Sequence, residues 1–250
     1  MSTERGSDRA IEDDGTDLPE TASRAVEAYG GAERWGTASG VEARVRFSGL
    51  LFVTRMRRPP PPISVHCALD RPYARLDPID HEGRVGVLEG HDVRLHDPNG
   101  KVVGERPSAR AFFSTPRHVV RWDTLDLTYF LGYVCWNYLG LPAHLLREEF
   151  GWTEPEPGVL ETNVQPHLPV HTRVQRYWFD RESGLQTRLD FTAEVMAHHA
   201  HASTRIRGHE RTDGVVYVSE HWVTPRKGKR GGPLPRPTVL LIRVSDLKLV

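Results

Sequence analysis

The chain has 250 residues, and its 33 lysines and arginines are balanced by 33 aspartates and glutamates. This neutral balance argues against nucleic acid as a partner, because proteins bind phosphate backbones with an excess of basic side chains. A chain of this length can bury a substantial single core. Only two cysteines occur, which is too few for a disulfide framework or a cysteine-based structural zinc site.

The N-terminal segment is polar. The first twenty residues contain nine charged side chains and no apolar run. This composition predicts a disordered tail over residues 1–18 and no signal peptide, so we expect a cytoplasmic protein. Residues 19–250 are predicted to form a single domain, since no Pro-rich or Gly-rich stretch is long enough to separate two cores.

Helix and strand signals then follow in chain order. Residues 21–35 predict a helix interrupted at Gly30-Gly31, and the alternation from Val41 to Phe47 predicts a strand. The apolar run from Leu50 to Met56 is expected to be a second strand. Asn99-Gly100 predicts a hairpin turn, because both turn residues tolerate positive φ. Further short strands are predicted over residues 63–69, 73–76, 84–88, 91–96, 101–105, 170–179, 185–196, 204–210, 215–223 and 238–250.

The central segment 127–146 carries no charged residue over twenty positions, which is the length of a membrane span. Polar Asn137 and His144, and the helix break at 140–142, favour a buried pair of helices instead. Asp123 is a plausible N-cap for the first of them. We therefore expect no stable membrane insertion. Successive hairpins with an N-terminal helix and this helical insertion predict an α+β protein, with an antiparallel sheet of about 10–11 strands wrapped over the helices.

Three segments carry a resemblance to a known family. They are AVEAYGGAERW at 25–35, RWDTLDLTYFLGYVCWNYL at 121–139 and YWFDRESGLQTRLDFTAEV at 177–195. Together they resemble the LolA/LppX-like lipoprotein-carrier superfamily and uncharacterised actinobacterial proteins related to it. The resemblance implies a curved antiparallel β half-barrel closed by helices. It also implies an apolar cavity, which in the carriers holds lipid or acyl chains.

Histidine is unusually frequent, with thirteen residues, seven of them between positions 167 and 221. His199 and His201 could present two imidazoles from one face of a strand, as a metal half-site does. The nearby Arg205 and Arg207 would repel a cation, so no metal and no other cofactor is predicted. The His167–His171 segment is expected to be a surface loop, because its proline prevents a helix.

The candidate catalytic residues are His209, His221 and Asp126. The two histidines lie on neighbouring predicted strands, and each is adjacent in sequence to a glutamate, Glu210 or Glu220. A neutral imidazole is a natural proton shuttle at physiological pH. The alternative interpretation is an exposed cross-strand His/Glu pair.

The other acidic candidates lie on the strand at residues 185–196. Asp190 and Glu194 share one face of this strand, opposite Leu189 and Phe191. If the apolar face points toward the core, the carboxylates are solvent-exposed and inert.

The candidate ligand-binding residues are aromatic: Tyr129, Tyr133 and Trp136 on the central helix, with Tyr177 and Tyr217 on strands. Such a set can line a pocket or simply fill a core. No G-x-S-x-G, Walker, G-x-G-x-x-G or H-E-x-x-H motif occurs, so serine hydrolase, nucleotide-binding and zincin functions lose their usual support.

These observations lead to one main functional hypothesis. The protein is expected to bind a hydrophobic small molecule, such as an acyl chain or polyketide-like metabolite, between the sheet and the helices of residues 121–147. The alternative is a cofactor-independent cyclase, isomerase or hydratase of specialised metabolism. A third possibility uses the basic run 226–230 at a membrane or partner surface. The ligand, any turnover and the oligomeric state are left open by the sequence.

Overall fold

The structure is a computed structural model that describes residues 18–115 and 117–250. The predicted disordered tail therefore lies, apart from its last residue, outside the described residues. The seven α-helices of the described residues are α1 (Glu20–Ala28), α2 (Ala32–Thr37), α3 (Leu50–Thr54), α4 (Ala109–Phe112), α5 (Arg117–Val120), α6 (Thr124–Leu139) and α7 (Leu141–Leu145).

The strands form one continuous antiparallel sheet. Within the described residues they are β1 (Gly40–Ser48), β2 (Ile63–Ala68), β3 (Tyr73–Asp77), β4 (Val85–Glu89), β5 (Asp92–His96), β6 (Val102–Arg106), β7 (Thr153–Glu156), β8 (Val159–Glu161), β9 (Arg176–Phe179), β10 (Gln186–Thr192), β11 (His201–Thr212), β12 (Val215–Pro225) and β13 (Leu240–Leu249). Their order is β6-β5-β4-β3-β2-β1-β13-β12-β11-β10-β9-β8-β7.

This topology is an open half-barrel, so the predicted α+β half-barrel fold is confirmed. Two meanders, β1–β6 and β7–β13, meet where the first strand pairs with the last. The register runs from Val41 opposite Leu249 to Ser48 opposite Leu241. Strands β6 and β7 form the two edges of the sheet.

The sheet has 13 strands rather than the predicted 10–11. Strands β7 and β8 lie in a proline-containing segment that has no alternating apolar pattern, which is why sequence periodicity missed them.

The predicted strand over 50–56 is wrong, because residues 50–54 form helix α3. Gly49 precedes this helix with φ of 124°, a value that suits glycine. Leu50 and Leu51 then donate backbone hydrogen bonds to the carbonyls of Thr238 and Val239. The chain thus leaves the ladder of β1 and turns into a helix, and a five-residue apolar run cannot distinguish these two outcomes.

Several local predictions are confirmed. The N-terminal helix is divided into α1 and α2 by Gly30 and Gly31, which have φ of 126° and 95°. The hairpin at Asn99-Gly100 is present, but only Gly100 has positive φ, of 86°, so the expectation of positive φ at both residues is wrong. The Asp97 carboxylate accepts from the backbone N–H groups of Asn99 and Lys101 at 2.9 Å each. Helix α6 begins with a capping box formed by Asp123 and Asp126.

Helix α6 is the core of the concave side and packs on β2–β6. It lies close to the sheet because glycines face bulky neighbours on both elements. A Cβ atom at Gly86 of β4 would lie 2.6 Å from the Thr128 hydroxyl, and one at Gly132 would lie 2.9 Å from Leu88 Cβ.

No helix of the described residues is long and apolar enough to cross a membrane. The apolar run at 127–146 is instead divided between α6 and α7, as predicted.

Candidate ligand-binding site

A column of aromatic rings follows helix α6 through the interior. The ring centroids of Trp122 and Phe130 are 5.1 Å apart, and those of Phe130 and Tyr133 are 5.4 Å apart. Tyr129 lies 5.4 Å from Tyr133 and packs against Phe113 at 5.5 Å. We call these five residues the aromatic column. Two predicted ligand-binding residues, Tyr129 and Tyr133, are therefore brought together at the centre of the molecule.

Polar groups meet the inner end of the column. His171 Nδ1 is 3.0 Å from the Tyr133 hydroxyl, and His171 Nε2 is 3.3 Å from the Tyr138 hydroxyl. The Tyr138 hydroxyl also lies 3.0 Å from the Thr204 hydroxyl of β11. Phe191 stacks on His171 with centroids 3.9 Å apart. The interior thus holds a hydrogen-bonded Tyr-His-Tyr-Thr chain, in which both ring nitrogens of His171 have partners.

The expectation that His171 lies in a surface loop is wrong, since this side chain is buried. Pro169 does prevent a helix there, but the loop is drawn inward by hydrogen bonds to its carbonyls. Asn137 of α6 donates to the Pro169 carbonyl at 2.8 Å, and Arg110 donates to the Val170 carbonyl at 2.7 Å. Residues 168–171 are all buried, so no alternating pattern in the sequence indicates that His171 points inward.

His221 lies next to this chain on β12 and stacks on Tyr138, with centroids 4.8 Å apart. Its Nε2 atom is buried and has no hydrogen-bond partner among the described residues. Burial, followed by the nearby His209, lowers the pKa of His221 to about 3. The imidazole is therefore neutral at physiological pH and offers one unused hydrogen-bonding position to the interior.

The predicted catalytic partner His209 is half-buried, and its Nε2 atom lies 3.2 Å from the hydroxyl of Tyr29, the C-cap residue of α1. Burial lowers the pKa of His209 as well. The Asp213-Gly214 turn sets the register of β11 and β12, so His209 is opposite Val218 and His221 is opposite Ile206. Groups with such lowered pKa values are weak bases at neutral pH, which favours hydrogen bonding over proton transfer by His221. The enzyme hypothesis stays a prediction.

The glutamates beside these histidines have other partners. Glu210 accepts a hydrogen bond from the Tyr217 hydroxyl at 2.9 Å. Glu220 pairs with Arg243 at 2.7 Å and accepts from Trp222 at 3.0 Å. The alternative of a cross-strand His/Glu pair therefore does not describe this region. The register set by the Asp213-Gly214 turn places neither imidazole directly opposite a glutamate, since His209 faces Val218 and His221 faces Ile206.

Asp126, the third predicted catalytic residue, lies at the start of α6 and is fully buried. Its carboxylate accepts from the backbone N–H of Asp123 at 2.9 Å and lies 2.7 Å from His118 Nε2. It also forms an ion pair with Arg106. The structure thus places Asp126 in the cap of helix α6, where a carboxylate is stabilised by the helix dipole.

The other predicted ligand-binding residues are dispersed. Trp136 donates its indole N–H to the Ala68 carbonyl at 3.0 Å. Tyr177 packs edge-on against Trp152 at 5.2 Å, and Tyr217 is held by its glutamate partner. These three side chains do not contact the aromatic column through any ring pair of the described residues. Among the five predicted aromatic residues, only Tyr129 and Tyr133 belong to the aromatic column.

Four exposed apolar side chains lie in two segments that meet at Trp122 of the aromatic column. Val53 and Met56 are each 72% exposed, and Val119 and Val120 are 61% and 58% exposed. We call these four residues the apolar rim. Trp122 connects the two halves of the rim, because its backbone N–H donates to the Arg55 carbonyl at 3.2 Å. Apolar side chains grouped at the surface are a common mark of a binding site.

The interior beneath the rim is filled by side chains. A void between the helices and β12–β13 has a volume of about 10 Å³, which is the least that one water molecule needs. It is lined by Tyr29, Trp35, Tyr138, Leu139, Leu141, Pro142, Val216, Tyr217, Val218 and Leu247. The family resemblance implies an apolar cavity, but at this position the structure has only this small void.

Three solved structures illustrate what the chain is similar to. A LolA superfamily protein from Nitrosomonas europaea aligns with 9% identity and a TM-score of 0.49, covering 94% of each chain. A DUF1329 family protein from Desulfovibrio piger aligns with 13% identity and a TM-score of 0.47, covering 93% of this chain and 92% of its own. The lipoprotein LppX from Mycobacterium tuberculosis aligns with 12% identity and a TM-score of 0.29, covering 92% and 96%. No family model and no curated protein matches the sequence.

Proposed function

We propose that the protein binds a hydrophobic small molecule, such as an acyl chain or a polyketide-like metabolite. The ligand would enter at the apolar rim and lie along the aromatic column toward His221. The observation that supports this most directly is that exposed apolar side chains lie beside Trp122, while the unused His221 Nε2 lies beside Tyr138, which His171 links to Tyr133 of the column. An amphipathic ligand has both matching parts.

The apolar part of the ligand would bind by removing surface from water. The rim exposes four aliphatic side chains, and burying one such side chain contributes about 1.5–3 kcal/mol. Trp122, whose backbone bonds to Arg55 between the rim residues Val53 and Met56, packs on Phe130, and both rings offer flat surfaces for chains or rings. A ligand longer than the rim must displace some interior side chains, because the space around α6 is filled.

The polar part of the ligand would bond to His221 Nε2. A buried polar atom without a partner costs about 1–3 kcal/mol, and a ligand hydroxyl, carbonyl or carboxylic acid would remove this penalty. A neutral imidazole can act as either donor or acceptor, depending on its tautomer.

A fluorescent fatty acid, 11-(dansylamino)undecanoic acid, tests the proposal by titration against the purified protein. We expect saturable binding with a blue-shifted emission. The double variant Val53→Ser/Val119→Ser should weaken binding about a hundredfold, because two apolar contacts are lost and each contributes at least about 1.5 kcal/mol. Both positions are exposed, so the fold should be retained.

The matched control is Val102→Ser/Val103→Ser, which changes two exposed valines on edge strand β6. Its affinity should equal that of the unmodified protein. An equal loss in both double variants would show non-specific adsorption and contradict the proposed entrance. Absence of any saturable binding would contradict the proposed function as a whole.

A further inference from the structure

A second, larger concavity lies on the opposite side of the sheet. Phe191 of β10 stacks on His171 and so faces the interior, which places its neighbour Asp190 on the outer face. The concavity there has a volume of about 670 Å³. We call it the outer pocket. Five cationic side chains line it: Arg176, Arg188, Arg226, Lys229 and Arg230.

The outer pocket contains a buried charge. Asp190 was expected to be solvent-exposed and is instead 3% exposed, so that prediction is wrong. The segment after β12 folds back over this face, and Arg226 Nε reaches the Asp190 carboxylate at 3.1 Å. Arg188 forms a second ion pair with the same carboxylate. One buried carboxylate therefore fixes two guanidinium groups in the wall of the pocket.

Backbone contacts hold the same wall in place. Arg226 donates from Nε to the Gly231 carbonyl at 3.1 Å and from a terminal nitrogen to the Lys229 carbonyl at 2.5 Å. These bonds close the 226–231 turn on itself. Arg188 in turn lies over the Trp178 ring, 4.2 Å from its centroid. Cationic groups held in advance lose little conformational freedom when an anion binds.

The charges of the pocket are not balanced. Five cations face three carboxylates among the lining residues. Glu161 pairs with Arg176 at 3.0 Å, and Glu194 pairs at 3.1 Å with Arg110, which is not a lining residue. Lys229 and Arg230 have no carboxylate partner among the described residues. The pocket therefore has a surplus of positive charge.

The crowding of cations is visible at Arg226. Burial lowers the pKa of this guanidinium, the Asp190 charge opposes that shift, and Arg188 and Arg176 lower it further. A bound anion would relieve this repulsion. Hydroxyl groups are also at hand, because Thr172 and Thr192 line the pocket, and the Thr192 hydroxyl lies 2.9 Å from His201 Nδ1.

We propose that the outer pocket binds the phosphate group of a small phosphomonoester. Lys229 and Arg230 supply the surplus charge that matches a dianion. The forks of Arg188 and Arg226 are already bonded to Asp190 and to the Gly231 and Lys229 carbonyls, so each of these guanidinium groups offers phosphate oxygens only its remaining N–H groups. Trp178 would contact an apolar or aromatic body attached to the phosphate. The same chemistry would accept the phosphomonoester headgroup of a lipid. The site is separate from the aromatic column, so either proposal can fail without the other.

Isothermal titration calorimetry with phenyl phosphate, inorganic phosphate and phenol at 150 mM NaCl tests the proposal. Cosedimentation with vesicles of phosphatidic acid in phosphatidylcholine, against phosphatidylcholine alone, tests the lipid source. Saturable 1:1 binding of phenyl phosphate, without binding of phenol, supports a soluble ligand. Binding of phosphatidic acid vesicles alone supports a lipid headgroup. Absence of binding in both experiments overturns the site.

A pair of variants in one short loop distinguishes a built site from general surface charge. Lys229→Gln/Arg230→Gln changes two exposed lining residues and should weaken phosphate binding about tenfold or more. Lys227→Gln lies in the same basic run, is exposed and does not line the pocket. It should change the affinity less than twofold. An equal loss in both variants would overturn the proposal.

Discussion

His221 and Asp190 are each 3% exposed, yet the protein treats these two buried polar groups in opposite ways. Asp190 lies on the outer face between two guanidinium groups that compensate its charge. His221 lies on the concave face beside Tyr138, with no compensating charge and an unbonded nitrogen. The same degree of burial therefore preserves charge in one place and removes it in the other.

The difference shows that partners, and not exposure, decide the chemistry of a buried group. A carboxylate with two ion pairs is part of a rigid network, and the loss of one member leaves uncompensated charges. A buried neutral imidazole with an unbonded nitrogen destabilises the core, and a ligand that bonds to this nitrogen would remove the cost. The outer face is thus suited to anions, and the concave face to uncharged apolar molecules.

The largest effect on stability is expected in the outer pocket, at Asp190. Asp190→Ala leaves Arg188 and Arg226 together without their carboxylate, and should lower the free energy of unfolding by about 3–5 kcal/mol. Urea unfolding followed by circular dichroism measures this change. Asp70→Ala removes an ion-paired aspartate at the surface and should leave the midpoint unchanged. Similar midpoints for the two variants would refute the rigid network.

The two buried histidines of the concave side should make the stability of the protein depend on pH. His171 and His221 have pKa values lowered to about 3, mainly by burial, whereas both titrate near 6.5 when unfolded. Below pH 6.5 the unfolded chain binds protons that the folded chain does not, so stability falls as pH falls from 6.5 toward 3. The two residues together should contribute about 2 kcal/mol per pH unit.

Urea unfolding midpoints measured between pH 6.5 and 5 give this slope. Most carboxylates titrate below this range, so they contribute little to it. His221→Phe should reduce the slope by the share of one residue, whereas His199→Gln, at an exposed position, should leave it unchanged. A slope that is the same in all three proteins would show that His221 is protonated when folded.

The smallest effect separates the two interior histidines at constant pH. His171→Phe deletes hydrogen bonds to Tyr133 and Tyr138 and should destabilise the protein by about 2 kcal/mol. His221→Phe removes an unbonded nitrogen while keeping a ring on Tyr138, and should be neutral or stabilising by about 1 kcal/mol. Thermal unfolding at pH 8 compares them. A larger loss in His221→Phe would show that its nitrogen is already satisfied.

Part of the candidate site could be found from the sequence. Tyr129, Tyr133 and His221 were selected for their residue types and positions, and the structure groups them around α6. His171 was missed because its burial depends on hydrogen bonds from Asn137 and Arg110, which are distant in sequence. Local patterns carry no information on such contacts.

The outer pocket follows the same reasoning. Alternation along β10 correctly placed Asp190 on the face opposite Leu189 and Phe191. Alternation could not show that the segment after β12 would fold over that face and bury the carboxylate. A face that a strand pattern marks as solvent-facing can therefore be covered by a loop from elsewhere in the chain.

The sequence by itself determined the local elements and the fold class. Capping by Asp123, the break at Gly140 and the hairpin at Asn99-Gly100 follow from backbone chemistry within a few residues, and they are present in the structure. Tertiary structure alone decided which polar groups have partners, since those partners come from strands and loops far apart in the chain. The charges, the pKa values and the two candidate binding surfaces depend on that assembly.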